Sequence, residues 1–148
     1  MYGKNNLQNT HTHGVRYEIA EHTADIMVRC YGKTLEECFE NAAYALFDQI
    51  SDAAAVKRVL TFDVTAEGDD PESLLYAFLS ELLFIHDSES VLLSEFRVRF
   101  EGGRVRCEAK GERIDTKRHR MRSGVKAITY HMLSVDANEP SVTVIFDV

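Results

Sequence analysis

Tyr17-Glu18-Ile19-Ala20-Glu21-His22-Thr23-Ala24-Asp25-Ile26-Met27-Val28-Arg29 reads as strand, polar break, strand. Tyr17 and Ile19 alternate with polar neighbours, and so do Ile26, Val28 and, beyond the stretch, Tyr31. This is the two-residue period of a half-buried strand. A plain hairpin calls for Gly or Asn-Gly at the break. Here the break holds Glu21, His22, Thr23 and Asp25 instead. Polar residues that interrupt a strand without turn chemistry point to a role other than turning. Asp25 is therefore the first candidate functional residue, with His22 and Thr23 beside it as accessory candidates.

Downstream, Thr34-Leu35-Glu36-Glu37 is a capping box, with Thr34 as N-cap and Glu37 returning to it. Leu35, Cys38, Phe39, Ala42, Ala43, Leu46, Phe47 and Ile50 recur at three- and four-residue steps, which predicts a helix near 35–50. Its acids Glu36, Glu37 and Glu40 suit the positive end of the helix dipole and read as a solvated face. Alternation over Val56 to Thr65 predicts a strand. Asp70 as N-cap and Pro71 at the first helical position then open a second helix, which carries Leu74, Leu75, Phe78, Leu79, Leu82 and Leu83 to about His86. Asp69 with Asp70 could suggest a metal loop, but capping accounts for at least one of them and is the preferred reading.

Gly102-Gly103 between Val91–Glu101 and Arg104–Glu112 is a two-residue hairpin signal. Phe96, Val98 and Phe100 face one way with Val105, Cys107 and Ala109. Arg97, Arg99, Arg104 and Arg106 face the other, with Glu101 and Glu108 as cross-strand partners. Arg113 to Gly124 lacks apolar periodicity and is read as a loop. Val125-Lys126-Ala127-Ile128 is read as a helical turn before a strand from Thr129 to Val135. Asn138-Glu139-Pro140 turns the chain into a last strand, Ser141 to Asp147. The expectation is an α+β fold with two helices packed on largely antiparallel β-sheets. Residues 1–16 are expected as a flexible tail and 17–148 as a single domain.

A chain of 148 residues, 45% apolar, is long enough to bury a core without staples. Cys30, Cys38 and Cys107 follow no zinc or disulfide spacing, and small core residues is the plain reading of Cys38 and Cys107. No run approaches the roughly 18 apolar residues of a membrane span, and Met1 to Gly14 has no signal-peptide core. A soluble, cytoplasmic protein without a membrane partner is expected. The net charge of −7 argues against a generic nucleic-acid coat. Yet Arg113, Lys117, Arg118, Arg120, Arg122 and Lys126 against Asp115 make a local +5, leaving −12 (−7 minus +5) elsewhere. A basic loop on an acidic body suits docking. Arg118, Arg120 and Arg122 are the candidates for contact with phosphate, RNA or a partner.

Asp147 is a charge at the end of an otherwise apolar strand, which is costly unless paired or coordinated. If that strand runs beside the opening one, Asp25, Asp147 and the oxygens of Val148 converge. Hard cations such as Ca²⁺, Mg²⁺ or Mn²⁺ want that donor set. Lys126 is a lone cation among apolar residues, either snorkelling or offered to a carboxylate or phosphate. His131 on the following strand is a third accessory candidate. No GxSxG, P-loop, GxGxxG or HExxH occurs, so no catalytic residue is assigned and the set reads as a binding and activation surface.

Glu21-His22-Thr23-Ala24-Asp25, Gly32-Lys33-Thr34-Leu35-Glu36-Glu37, Val125 to His131 and Val144-Ile145-Phe146-Asp147-Val148 together resemble the archease family, from about Tyr17 onward. The resemblance implies an archease-like sandwich and a non-enzymatic cofactor of an RtcB-type RNA ligase. Such a ligase acts in tRNA splicing and RNA repair, and the cofactor promotes its guanylylation and multiple turnover. RNA is then met indirectly, through the ligase. A chaperone-like link to a tRNA methyltransferase is the further partner implied. By resemblance Asp25 and Asp147 are essential acids of a metal site, Val148 a further oxygen ligand and Lys126 the essential basic residue. Two rival classes stand beside this one: a general RNA-binding module working through the basic loop, and a metal-dependent phosphohydrolase.

Overall fold

The computed structural model describes residues 14–22, 25–122 and 124–148, the side chains of Glu21 and His22 aside. Alternating apolar residues lay down β1 (Tyr17–His22), β2 (Asp25–Tyr31), β3 (Leu60–Glu67), β4 (Val91–Glu101), β5 (Arg104–Arg113), β6 (Ala127–Asp136) and β7 (Ser141–Asp147). The helices are α1 (Leu35–Ile50) and α2 (Pro71–Glu89). All pairing is antiparallel, in one sheet of order β1-β2-β7-β6 and another of order β3-β5-β4. The α+β architecture expected from the sequence is the one observed. The helices form its middle layer: α1 lies against β2, β7 and β4, and α2 against β6 and β3. Among the described residues, no strand of one sheet has its backbone against a strand of the other. A helix with a sheet on each side needs a wide apolar surface. Accordingly α1 buries Ala45 as well as its main stripe of Phe39, Ala42, Leu46 and Phe47.

The core closes through aromatic pairs that join the layers. Phe39 of α1 stacks on Phe78 of α2 at 6.0 Å and meets Phe100 of β4 edge-on at 5.0 Å. Phe47 stacks on Phe96 at 5.9 Å. Each fully buried ring contributes about 1.5–3 kcal/mol by leaving water. Cys30, Cys38 and Cys107 are buried and free. No helix of the described residues is long and apolar enough to cross a membrane.

Helix entry follows the sequence signals closely. Thr34 Oγ1 accepts the Glu37 N–H at 3.2 Å, and Asp70 Oδ1 accepts the Ser73 N–H at 2.7 Å. One detail differs: Glu37 Oε1 takes the N–H of Lys33, at 2.7 Å, instead of that of Thr34. Helix α2 runs past His86 to Glu89, where Ser90 at φ 55° closes it with its N–H on the His86 carbonyl. Glu40 is no solvated acid. Its Oε2 accepts the Val98 N–H of edge strand β4 at 2.9 Å, and burial pushes its pKa up. Glu72 of α2 does the same for Val135 on edge strand β6, at 3.1 Å. Each helix thus covers an N–H of a sheet edge that would otherwise invite another strand.

Two boundaries move. The strand expected over Val56 to Thr65 begins at Leu60, after a 3₁₀ turn at Ala53–Ala55 capped by Asp52. The chain at 56–57 cannot join a ladder because side chains hold it: Ser94 Oγ donates to the Val56 carbonyl and the Lys57 N–H donates to Glu112. The helical turn expected at Val125 to Ile128 does not form, because Ala127 already pairs with Asp147 as the first rung of β6. Farther along, β6 bulges: residues 130–133 fit between rungs Thr129–Ile145 and Ser134–Thr143, with Met132 at φ 59°. The bulge leaves Tyr130, His131 and Met132 exposed.

The hairpin forms at Gly102-Gly103 with Gly102 at φ 64°. On its wet face Glu101 pairs with Arg99 and Arg106, while Arg104 reaches Glu67 on β3 at 2.6 Å. Of the segment expected as a tail, residues 1–13, with His11 and His13, lie outside the described residues. Arg16 is tied in, its carbonyl accepting the Tyr31 N–H and its guanidinium lying 4.1 Å over the Tyr44 ring.

Candidate functional site

Strands β2 and β7 run side by side, and their register sets Asp25 directly opposite Asp147. Side chains opposite one another on antiparallel strands share a face, with Cβ atoms about 4.5–5.5 Å apart. Ile26, Val28, Val144 and Phe146 point into the core, so the acids project from the other face of the sheet. One rung inward on that face Met27 opposes Ile145, both buried at 6% and 7% exposure. The acids therefore stand at the end of the sheet with an apolar floor on one side and solvent on the other. Asp25 is exposed and Asp147 half-buried.

On the other flank of β7, Ala127 pairs with Asp147, and the Lys126 N–H donates to the Asp147 carbonyl at 2.7 Å. Lys126 is exposed, and its ammonium has no partner among the described residues. Val148 continues β7 and packs half-buried against the core. Structure thus brings Asp25, Asp147, Val148 and Lys126 to one tip. His22 ends β1 opposite Ile26, but its side chain and all of Thr23 lie outside the described residues. His131 stands in the bulge of β6 and not on the rung of the acids.

Like charges opposed on a ladder repel. A pair of carboxylates with a main-chain oxygen beside it is a donor set for a hard cation completed by water. Among the described residues no group of three or more His, Cys, Asp or Glu side chains is arranged to hold a metal. The residues present fit a weakly held hard ion and not a structural zinc.

The basic loop is strapped to the body at two points that sequence reasoning missed. At the first, Glu112 of β5 is buried and accepts from the Lys57 N–H, from Arg118 and from His119 Nε2 at 2.9 Å. His119 is buried, and its Nδ1 accepts the Asp115 N–H at 2.8 Å, so Nε2 is the nitrogen that donates to Glu112. At the second, Arg122 bonds Asp48 at the end of α1. Of the three loop arginines, Arg118 and Arg122 are engaged within the molecule, and the guanidinium of Arg120 has no partner among the described residues. Lone acids inside a helix or strand pattern look solvated, so nothing local marks Glu112 or Asp48.

Burial raises the Glu112 pKa, but the Lys57 N–H, His119 and Arg118 outweigh it and hold the carboxyl at about 2, below its ordinary 4.5. A depressed carboxylate contributes stability that is full above the unfolded pKa and lost as pH falls through the folded one. Urea denaturation is therefore expected to show stability falling between about pH 4.5 and 2. Glu112→Gln is expected to flatten that slope and to destabilise the protein at pH 7 by about 1–3 kcal/mol.

The model of the Archease protein family (MTH1598/TM1083) matches residues 17–148. The protein archease of Pyrococcus furiosus is 45% identical over 125 residues, spanning 82% of this chain and 88% of that one. That of Sulfurisphaera tokodaii is 41% identical over 123 residues, with the same shares. Among solved structures, protein 1598 of Methanobacterium thermoautotrophicum superposes with a TM-score of 0.74 at 38% identity, covering 90% of this chain and 99% of that one. An archease from Thermotoga maritima, named a possible chaperone, superposes with a TM-score of 0.60 over 92% and 99% of the two chains. Its 21% identity makes that a likeness of fold alone. With the match running from β1 to the end of β7, this chain belongs to the archease family.

Proposed function

We propose that the chain is a protein cofactor of an RtcB-type RNA ligase, acting in the cytoplasm on the ligase and meeting tRNA or other RNA only through it. The observation that carries this reading is the rung on which Asp25 opposes Asp147, with Lys126 bonded through its main chain to Asp147. Two acids set against each other serve no purpose in the fold, since they repel and neither fills the core. Asp25, Asp147 and the Val148 main-chain oxygen would hold Ca²⁺, Mg²⁺ or Mn²⁺. When bound, such an ion supplies charge neutralisation at the phosphates of a transferring nucleotide. Lys126, whose ammonium has no partner among the described residues, offers a point cation to phosphate on the same tip. The chain's own share of the work is to hold these oxygens and this cation at fixed spacing, so that little reorganisation is left for the moment of transfer. With no nucleophile motif in the chain, the guanylated group belongs to the ligase.

The pairing of Arg118 with Glu112 and of Arg122 with Asp48 weighs against a general RNA-binding module, because two of the three candidate arginines already have acidic partners. The test is a ligation assay on RNA with cyclic-phosphate and 5′-hydroxyl ends, ligase limiting, with and without this chain. Multiple turnover only in its presence is the expected result. Equal turnover in both arms refutes the proposal, and product formed by this chain alone would make it a phosphohydrolase instead.

A further inference from the structure

Lys126 is placed by its main chain alone, because its ammonium has no partner among the described residues. Its own N–H and the Ala127 rung hold it to Asp147 on one side, and the anchorage of the chain ahead of it sets how far it can swing on the other. Arg122, four residues earlier, is anchored three times at the end of α1. Its N–H donates to the Ile50 carbonyl at 2.7 Å, and its Nη1 donates to the Asp48 carbonyl at 2.5 Å and lies 3.4 Å from Asp48 Oδ1. These carbonyls belong to the last turn of a helix, where they lack intrahelical partners and carry the negative end of the dipole. Helix α1 has no basic residue of its own in that turn, so Arg122 supplies the missing cation from the loop.

Asp48 is more than a counter-charge. Its Oδ2 accepts the Tyr17 hydroxyl at 2.5 Å, and its Oδ1 accepts the Ala53 N–H at 3.1 Å. Gln49 Nε2 donates to the same Tyr17 hydroxyl at 3.1 Å. One carboxylate thus joins β1, the end of α1, the 3₁₀ turn and the loop. From this clamp to the Lys126 N–H on Asp147 the chain spans four residues, at most about 14 Å extended. A segment so short, held at both ends, leaves Lys126 little freedom to leave the rung of the acids.

We propose that Asp48, acting through Arg122, is the positioning residue that holds Lys126 at the acid pair. This rests on the reading of Asp25, Asp147 and Lys126 as the working tip. Asp48→Asn keeps the size of the side chain and removes the charge that holds Arg122. Arg122→Gln, at a half-exposed side chain, removes the clamp without opening the core and keeps the test alive should Asp48→Asn fold poorly. The readout is amide hydrogen exchange across the full chain, with ligase turnover measured on the same samples. Exchange at Lys126 and Arg122 is expected to quicken by about tenfold or more in both variants, with core amides of β2, β5 and β7 unchanged. Ligase turnover is expected to fall in step, and Arg122→Lys to restore part of both. Unchanged exchange at Lys126 in both variants overturns the proposal. So does full turnover in Asp48→Asn while Lys126→Ala abolishes it. Full turnover in Lys126→Ala itself would instead overturn the reading of the tip.

Discussion

Asp25→Ala is expected to return ligase turnover to its rate without this chain, while leaving the folded protein as stable as before or slightly more so. Most substitutions destabilise, so the second half of this result is the informative one. Asp25 is exposed, sits at the end of β2 and packs against nothing in the core. The residue opposite it in the ladder is another carboxylate, Asp147. Two unit charges about 5 Å apart repel by on the order of 1 kcal/mol at the dielectric of water. Removing one relieves that repulsion. In buffer without divalent cations, thermal melting of Asp25→Ala should match or exceed the parent. With millimolar Mg²⁺ or Mn²⁺ the order should invert, because only the parent gains stability from ligand binding to the native state. A residue kept against the interest of the fold is the physical mark of a functional one. A variant that loses several kcal/mol without divalent cations would show that Asp25 holds the fold together instead.

Gly111→Ala is expected to have the opposite profile, with a large loss of stability and no specific effect on the tip. Gly111 lies in β5, the middle strand of its sheet, opposite Leu60 on one side and Leu93 on the other. Opposite it β4 carries an extra residue, Ser94, between the rungs of Leu93 and Glu95. That irregularity pushes the β4 backbone toward Gly111. A Cβ there would stand 1.8 Å from the Leu92 carbonyl oxygen and 2.7 Å from Leu93 Cα. These are backbone atoms in a ladder paired on both sides, so relief requires breaking the β4–β5 pairing. The expected loss exceeds about 3 kcal/mol, a large share of the roughly 5–15 kcal/mol that holds a domain folded. Gly102→Ala is the control. Gly102 sits at φ 64° with nothing within 4 Å of a Cβ, so it meets only the left-handed strain of about 1–2 kcal/mol. Urea titration of both variants checks the order. A midpoint for Gly111→Ala close to that of the parent would mean that the bulged strand yields more readily than its geometry suggests.

Elements were legible where a local signal carries its own physics. Thr34, Asp70 and Pro71 announce their helices because capping groups must stand next to the N–H groups they satisfy, and Gly102-Gly103 announces its hairpin for a similar reason. Boundaries failed where a distant side chain takes a backbone group. Glu112 holds Lys57 from 55 residues away and so delays β3, and Asp147 draws Ala127 into β6 where a helical turn was expected. Beyond the caps and the Glu101 pairing on the hairpin, partnership could be guessed for the acids of the tip, because a charge ending an apolar strand asks for an explanation. Asp48, Glu72 and Glu112 gave no such warning. An acid on a helix or strand face looks solvated until the fold shows which N–H or guanidinium it meets.

Paramagnetic broadening of amide signals by substoichiometric Mn²⁺ tests the acid pair most directly, since it reads where an ion sits without needing the ligase. Broadening centred on residues 25–26, 126–128 and 146–148, and lost in Asp25→Ala, is the predicted result. Broadening centred elsewhere, such as at the acidic turn of Glu67, Asp69 and Glu101, or left unchanged by Asp25→Ala, would contradict it.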